Sequence, residues 1–370
     1  DSLLSGPAGG VAGAVEAARR AGIDRVLSFD MGGTSTDVAR YDGDFDYEFE
    51  HRVGDAHLVA PALAIETVAA GGGSICTYAS GRLRVGPESA GASPGPACYG
   101  AGGPLTITDV NLLMGRLDAT QFEIPVNQDA AQKVLDTLCE QMKADGSDAG
   151  VDEVLAGLVA IADDRMAAAI RRVSLERGVD PTQFALVTFG GAGGQHACGV
   201  ASRLGIGRVL VPTDAGLLSA RGLGAAVVER FAQRQILQPL DQIEAELDSM
   251  FETLGDEARL AVLREGQRQD SVQIRRRLLN LRLQGQESTV VIDEVGEPVR
   301  EAFVKAYKEL YGHHPPARPI EVESIRVVAS TQPTSVPVSM DVTDTMDFSP
   351  RSVWTADGWR HVEVRARASM

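Results

Sequence analysis

Phe29-Asp30-Met31-Gly32-Gly33-Thr34-Ser35-Thr36-Asp37-Val38 is the stretch on which the fold of this chain turns. The residues leading into it, Arg25 to Phe29 (Arg-Val-Leu-Ser-Phe), form a short apolar run that predicts a buried strand. The run closes on an acid, two glycines and a series of hydroxyl-bearing or acidic side chains. A glycine turn of this kind lets backbone N–H groups and hydroxyls approach a phosphate, because no Cβ stands in the way. Asp30 and Asp37 are suited to hold Mg²⁺, directly or through water. The same residues also suit a tight Gly-Gly hairpin between two strands. The spacing alone leaves both readings open.

A second turn lies farther along. Phe184 to Phe189 reads as a buried strand that opens into Gly190-Gly191-Ala192-Gly193-Gly194-Gln195-His196, followed by a helix to Leu204. A strand–glycine–helix junction presents free N–H groups to an anion or to a nucleoside. The turn lacks the GxxxxGK[ST] pattern, and its glycine spacing is not GxGxxG. By itself it suits close strand–helix packing equally well. The 27 residues before Gly178, Val151 to Arg177, place apolar side chains at three- and four-residue steps and predict a long helix. Arg208 to Val211 predicts a strand and Ala215 to Val228 a helix. This alternation of helix and strand indicates an α/β architecture.

Working outward, Ser5-Gly6-Pro7-Ala8-Gly9-Gly10 leads into an Ala-rich helix ending near Gly22, with Ser5 as a candidate cap. Val38 to Tyr41 and Phe45 to Phe49 predict strands around the Asp42-Gly43 turn. Ala64 to Ala70 runs into Gly71-Gly72-Gly73-Ser74 and a strand from Ile75 to Tyr78. Residues Arg84 to Gly103 read as a glycine- and proline-rich loop, after which Thr108-Asp109 predicts a cap for a helix Val110 to Leu117. The last third differs. It predicts a charged helix from Leu240 to Glu265, strands Ser271 to Leu283 and Ser288 to Ile292, a helix Pro298 to Leu310 and a strand Ile320 to Ser330. Arg275, Arg276 and Arg277 read as a solvated strand or sheet edge. The tail from Pro333 has little pattern. The division expected is 1–235 for an α/β domain and 236–370 for a smaller α+β region.

The chain of 370 residues carries 44% hydrophobic residues and a formal net charge of −16. That balance is ordinary for a globular protein and disfavours nucleic acid or an anionic membrane as the main partner. Its 40 glycines are clustered rather than periodic, so they mark turns that approach something closely. Cys76, Cys98, Cys139 and Cys198 show no metal spacing and read as reduced thiols of a cytoplasmic protein. No signal peptide or membrane span is apparent. The chain starts at Asp1 within a dense motif, so an excised part of a longer polypeptide is expected.

Five runs, taken together and in order, resemble one family. They are Ser5 to Gly10; Phe29 to Val38; Ala69-Ala70-Gly71-Gly72-Gly73-Ser74; Val85-Gly86-Pro87-Glu88-Ser89-Ala90-Gly91 with Pro94 to Tyr99 and Gly102 to Thr106; and Phe189 to Ala197. They are similar to the hydantoinase/5-oxoprolinase family, which includes N-methylhydantoinase A, 5-oxoprolinase and the nucleotide-binding subunits of acetone and acetophenone carboxylases. The likeness is dense from Asp1 to about Val228 and weaker through Tyr311-Gly312-His313 and Arg318 to Val327.

The resemblance implies an actin-like ATPase (ribonuclease H-like) half with glycine-rich insertions, using ATP and Mg²⁺. It implies phosphate contacts at Gly32, Gly33, Thr34 and Thr36, a nucleoside against Gly190, Gly191 and Gly194, and Asp30 and Asp37 as catalytic and metal-holding acids. It implies ATP-dependent opening of a cyclic amide of the hydantoin or 5-oxoproline type through a phosphorylated intermediate. The alternatives are the ATP-binding subunit of an acetone- or acetophenone-type carboxylase, or a non-catalytic actin-like nucleotide switch. The family also has an N-terminal domain with its own Asp-x-Gly-Gly-Thr turn, expected as a partner here, and a second, B-type subunit or fused domain. The isolated chain is therefore expected to bind nucleotide weakly and to be inactive.

Other polar residues stay open at this stage. His196 suits either the site or a structural place at a helix terminus. Glu66 suits a metal or water ligand, or a satisfied strand-end acid. His51 and His57 read as solvated, His313-His314 as a turn, and Asp109 as a cap. No Ser-His-Asp or Cys-His arrangement is evident.

Overall fold

Strand β1 (Arg25–Met31) has six of its seven residues wholly or largely out of water, and its neighbours explain why. It pairs antiparallel with β2 (Thr36–Asp42) on one side and parallel with β8 (Ala185–Phe189) on the other. Strand β5 (Ile65–Val68) extends the sheet beyond β2, and β9 (Val209–Leu210) extends it beyond β8, giving the order β5-β2-β1-β8-β9. Three antiparallel strands followed by two parallel additions form the ribonuclease H-like sheet that the sequence led us to expect. The structure is a computed structural model. It describes residues 5–53, 56–122, 124–225, 227–294, 296–332, 348–355 and 357–365, and within these not the side chains of 5, 49–61, 121, 225, 348–349 and 364–365.

Side-chain alternation along the strands divides the interior in two. Val26 and Tyr41 with Ala185, Val187 and Phe189 pack against Ala14, Val15 and Ala18 of α1 (Ser5–Arg20) and Leu218 of α6 (Leu218–Ala225). Leu27, Phe29, Met31 and Leu186 face the opposite way, into the larger core. That core is built by α4 (Val151–Val173), α5 (Gly193–Leu204), α2 (Ile107–Leu113) and α3 (Gln128–Ala144). Helix α4 buries Val154, Leu158, Ala162, Met166 and Ile170, the periodic positions, and ends where Gly178 adopts φ +74° after one tighter turn. Helix α3 has no counterpart in the sequence expectations.

Two hairpins decorate this layer. β3 (Tyr47–Val53) pairs with β4 (Ala56–Leu63), and β6 (Ser74–Ala79) with β7 (Arg82–Ser89). The stretch expected as loop from Arg84 thus starts as a strand, because Val85 lies opposite Cys76 and is buried in the core. Helix α2 starts earlier than expected: its cap is Thr106, and Asp109 completes the capping box from the third helical position. The tail also gains structure, as β14 (Phe348–Thr355) and β15 (Gly358–Arg365) form a hairpin whose Trp354 N–H donates to Met114 O at 2.9 Å.

The chain forms two compact units, Asp1–Gly224 with Pro337–Met370, and Ala225–Val336. This does not follow a division at residue 235. The expected boundary falls inside β10 (Glu229–Pro239), which is hydrogen-bonded along its length to β13 (Ile320–Thr331). With β11 (Val272–Leu283) and β12 (Val290–Asp293) these make an antiparallel sheet of order β10-β13-β11-β12. The helices α7 (Leu240–Ile243), α8 (Leu247–Leu263) and α9 (Val299–Tyr311) bury Phe251, Leu254 and Phe303 against Leu279, Ile325 and Val327. The single helix expected from Leu240 to Glu265 is broken at Glu244–Glu246 by a tighter turn. Arg275, Arg276 and Arg277 stand just before Leu278–Leu281, the stretch of β11 that pairs with β12, and are half-buried rather than solvated. β11 lies between β13 and β12, and the three arginines meet Glu229, Asp293 and Glu294 at 2.8, 2.7 and 3.5 Å.

Candidate functional site

The register of β1 and β8 brings the two glycine turns together. Asp30 lies beside Phe189 in the parallel pair, so both strands run out at the same end of the sheet. In open α/β sheets that end is where ligands bind. β1 returns into β2 through Gly32 to Ser35, closed by the Gly32 N–H to Ser35 O bond of 3.0 Å. The hairpin reading of this stretch and the cradle reading therefore describe one object, with Gly33 and Thr34 exposed at its tip. β8 leaves through Gly190, whose φ of +79° suits glycine. A Cβ at Gly190 would lie 2.5 Å from Met31 O and would overlap Asp30 Oδ1. Ala192 N–H then donates to Met31 O at 3.0 Å, so the second turn is bonded directly to the last residue of β1.

Beyond that bond the second turn opens. Gly191 and Gly194 are exposed, and a Cβ at either would meet nothing within 4 Å. Helix α5 begins at Gly193 with no side-chain cap, so its first N–H groups have no side-chain acceptor.

Asp30 and Asp37 are opposite one another in the β1–β2 register and so project on the same face of the sheet. Burial raises the Asp30 carboxyl above its ordinary value and the charge of Asp37 adds to that, while a hydrogen bond from Ser219 Oγ to Asp30 Oδ2 at 3.3 Å opposes it. Asp37 Oδ1 accepts from Thr67 Oγ1 at 2.5 Å. Among the described residues no group of three or more His, Cys, Asp and Glu converges on one point. The donor set at the turn is two carboxylates on one face, a set that suits a hard cation sharing its remaining positions with phosphate and water.

Thr36, expected at the phosphate, is instead fully buried, and its hydroxyl donates to Ala70 O at 2.5 Å. It ties β2 to the triple glycine. That segment braces the first turn from behind: Gly72 N–H donates to Gly32 O at 3.0 Å and Gly73 N–H to Gly33 O at 2.6 Å. A Cβ at Gly71 would come within 2.8 Å of Gly33 backbone atoms. Asp109 accepts from the N–H groups of Ala97, Cys98 and Thr106 and from the Thr106 hydroxyl, so it organises the Gly-Pro loop from a fully buried position. Glu66 is the satisfied strand acid, 3.0 Å from Arg172 Nε. The side chains of His51 and His57 lie outside those described.

His196 is fully buried, 2.7 Å from Asp163 Oδ1 and 2.9 Å from Asn111 Nδ2. The partners Asn111, Asp163, Thr67 and Ser219 are absent from the sequence expectations. One signal is available for Asp163: an acid on the apolar stripe of α4, four residues after Val159 and three before Met166. The others sit far from their partners in sequence.

The profile of the hydantoinase/oxoprolinase family matches residues 1–231. The chain belongs to the hydantoinase/oxoprolinase family. Among relatives, it is 46% identical over 238 residues to the 5-oxoprolinase PfmaA of Pestalotiopsis fici, covering 61% of this chain and 18% of that protein. It is 39% identical over 234 residues to the alpha subunit of the caprolactamase of Pseudomonas jessenii, covering 60% of this chain and 32% of the relative. The ATP-dependent caprolactamase structure from that organism superimposes with a TM-score of 0.81 at 28% identity, over 98% of this chain and 55% of that one. An acetone carboxylase structure shares the fold at a TM-score of 0.68 and 21% identity, over 97% of this chain and 55% of that one. This member of the family thus spans a third or less of the length of these two curated relatives. Among its described residues, no helix is long and apolar enough to cross a membrane, and all four cysteines are free.

Proposed function

We infer that this chain supplies one wall of the nucleotide site of an ATP-dependent enzyme that opens cyclic amides. The observation that carries this reading is the bond between the two turns: exposed Gly33 and Thr34 on one, exposed Gly191 and Gly194 on the other, with Asp30 between them. In this reading the amides and hydroxyl at Gly32, Gly33 and Thr34 take the phosphates, and the nucleoside lies along Gly190, Gly191 and Gly194. Thr36 serves by fixing the turn. Asp30 and Asp37 would hold Mg²⁺, which supplies charge neutralisation for the transferring phosphoryl group.

The γ-phosphoryl group passes to the amide oxygen of the ring. Water then adds to the activated carbon, the ring C–N bond breaks with the nitrogen taking a proton, and the acyl phosphate so formed is cleaved by a second water to the free carboxylate and phosphate. The chain's own contribution is position and charge, since the turns hold donors where negative charge develops. Because the named relatives are longer, the lactam, the second wall of the site and a B-type partner subunit belong to this proposal. The chain alone is expected to bind ATP weakly and not to turn it over.

The test is ADP release by the full polypeptide carrying this chain, with its partner subunit, in the presence of 5-oxoproline, hydantoin or caprolactam. Lactam-dependent release is expected, with Asp30→Asn lowering kcat by roughly 100-fold or more. Release that needs bicarbonate and a ketone, or nucleotide-dependent partner binding without turnover, overturns the reading.

A further inference from the structure

Among the described residues of this unit, His196 is the fully buried histidine, and three helices meet at its ring. It is the fourth residue of α5. Its Nδ1 lies 2.7 Å from Asp163 Oδ1 on α4, and its Nε2 lies 2.9 Å from Asn111 Nδ2 on α2. A carboxylate only accepts, so Nδ1 carries the hydrogen, and Nε2 is left to accept from the Asn111 amide. Asp163 Oδ2 is held in turn by Arg203 Nη1 at 3.1 Å. Gly199, three residues after His196, leaves room for that carboxylate, since a Cβ there would overlap Oδ2. Asn111 Oδ1 is buried with no hydrogen-bond partner. A residue that merely filled the space would carry no such cost, so the stabilising part of Asn111 is the N–H it gives to His196.

The His196–Asn111 bond closes a circuit. Gly72 N–H donates to Gly32 O, and Thr108 donates to Gly72 O from its N–H at 2.7 Å and its hydroxyl at 2.9 Å. Thr108 and Asn111 are one turn apart on α2. From Asn111 the path crosses to His196, runs back along the first turn of α5 to Ala192, and returns by Ala192 N–H to Met31 O, the residue before Gly32. Both glycine turns are members of this ring, and His196 is its one buried titratable side chain.

We propose that His196 is a positioning residue that, through Asn111 and α2, sets the spacing between the Gly32–Gly33 turn and the Gly190–Ala192 turn. A histidine that only clamps α5 to α4 would act through Asp163 alone. The positioning role acts through Asn111 as well, and so reaches Gly72, which neither touches.

The two bonds of His196 can be separated. His196→Asn keeps a donor for Asp163 and loses the reach to Asn111, whereas His196→Gln places an acceptor for Asn111 and gives up Asp163. Amide hydrogen exchange on the full chain reads the outcome. His196→Asn and Asn111→Ala are expected to speed exchange at Gly72 and Ala192 about tenfold, with His196→Gln close to the parent chain. Changes confined to α4 and α5, or His196→Gln behaving like His196→Asn, would overturn the proposal. If His196→Asn does not fold, Asn111→Ala decides, because it leaves the His196–Asp163 pair in place. The consequence for ATP, a raised KM with kcat little changed in Asn111→Ala, rests on the nucleotide reading. The exchange measurement does not, since it needs no nucleotide. Coupled exchange in this chain, with no lactam-dependent ATP turnover by the full polypeptide and its partner subunit, sinks the functional reading and leaves the relay. Turnover with uncoupled exchange does the reverse.

Discussion

Two glycine-rich regions of the first unit look alike in sequence and differ in what surrounds them. Where α1 crosses α6, Gly9, Gly13 and Gly222 each have a neighbour that requires them. A Cβ at Gly9 would lie 2.6 Å from Ser219 O, one at Gly13 would lie 2.5 Å from Leu218 O, and one at Gly222 would overlap Gly9 O. Those glycines let two backbones touch, which outweighs their poor helix propensity. At the ends of β1 and β8, Gly33, Gly191 and Gly194 have open space where a side chain would go. Packing within the chain does not explain them. A glycine that no protein atom requires is the stronger candidate for a ligand contact, and a Ser-Gly-Pro-Ala-Gly-Gly run, however well it marks the family, is here a helix–helix seam.

The largest effect should come from the seam. Gly13→Ala and Gly222→Ala force backbone apart and are expected to cost about 1–3 kcal/mol each, read as a fall in the urea midpoint at constant slope. An unchanged midpoint would mean that the helices separate freely and the contrast fails. A middle effect is expected at Asp30. Its raised carboxyl binds a proton more tightly in the folded chain than in the unfolded one, so folding loses stability as pH rises from the ordinary carboxylate value through the raised one. Asp30→Asn removes that loss. Its Tm should exceed that of the parent chain at neutral pH, and the gain should vanish below the ordinary carboxylate value; a gain that persists in acid would assign the effect to packing instead. The smallest effect on stability belongs to Gly191→Ala, expected within about 0.5 kcal/mol of the parent. The same variant in the full polypeptide should weaken ATP binding, and unaltered binding would move the nucleoside away from this turn.

The difference between these regions is invisible in the sequence, yet much else is not. The apolar run into Asp30, the run from Phe184 to Phe189 and the stripe of α4 predict β1, β8 and the long helix, because strand and helix periodicities are local. The reading fails where a long-range partner decides the state. Glu229 to Pro239 has no strong pattern of its own and becomes β10 by pairing with residues about ninety positions away. The arginines of β11 read as solvated because charge suggests water, whereas Glu229 of β10, Asp293 of β12 and Glu294 just after it receive them. Thr36 reads as a phosphate ligand by its place in the motif, and is removed from that role by the Ala70 carbonyl.

By itself, then, the amino-acid order determined the strands β1 and β8 and the long helix between them, which residues make the two turns, and the family to which they belong. Periodicity, glycine and acid positions are properties of neighbours in the chain. Only the folded chain decided that Gly190 must lack a side chain because Asp30 and Met31 lie against it, that Gly72 supports Gly32, and that His196 looks inward to Asn111 and Asp163. These contacts join residues that are 33 to 160 positions apart, and the backbone hydrogen bonds among them carry no side-chain signature that a sequence could display.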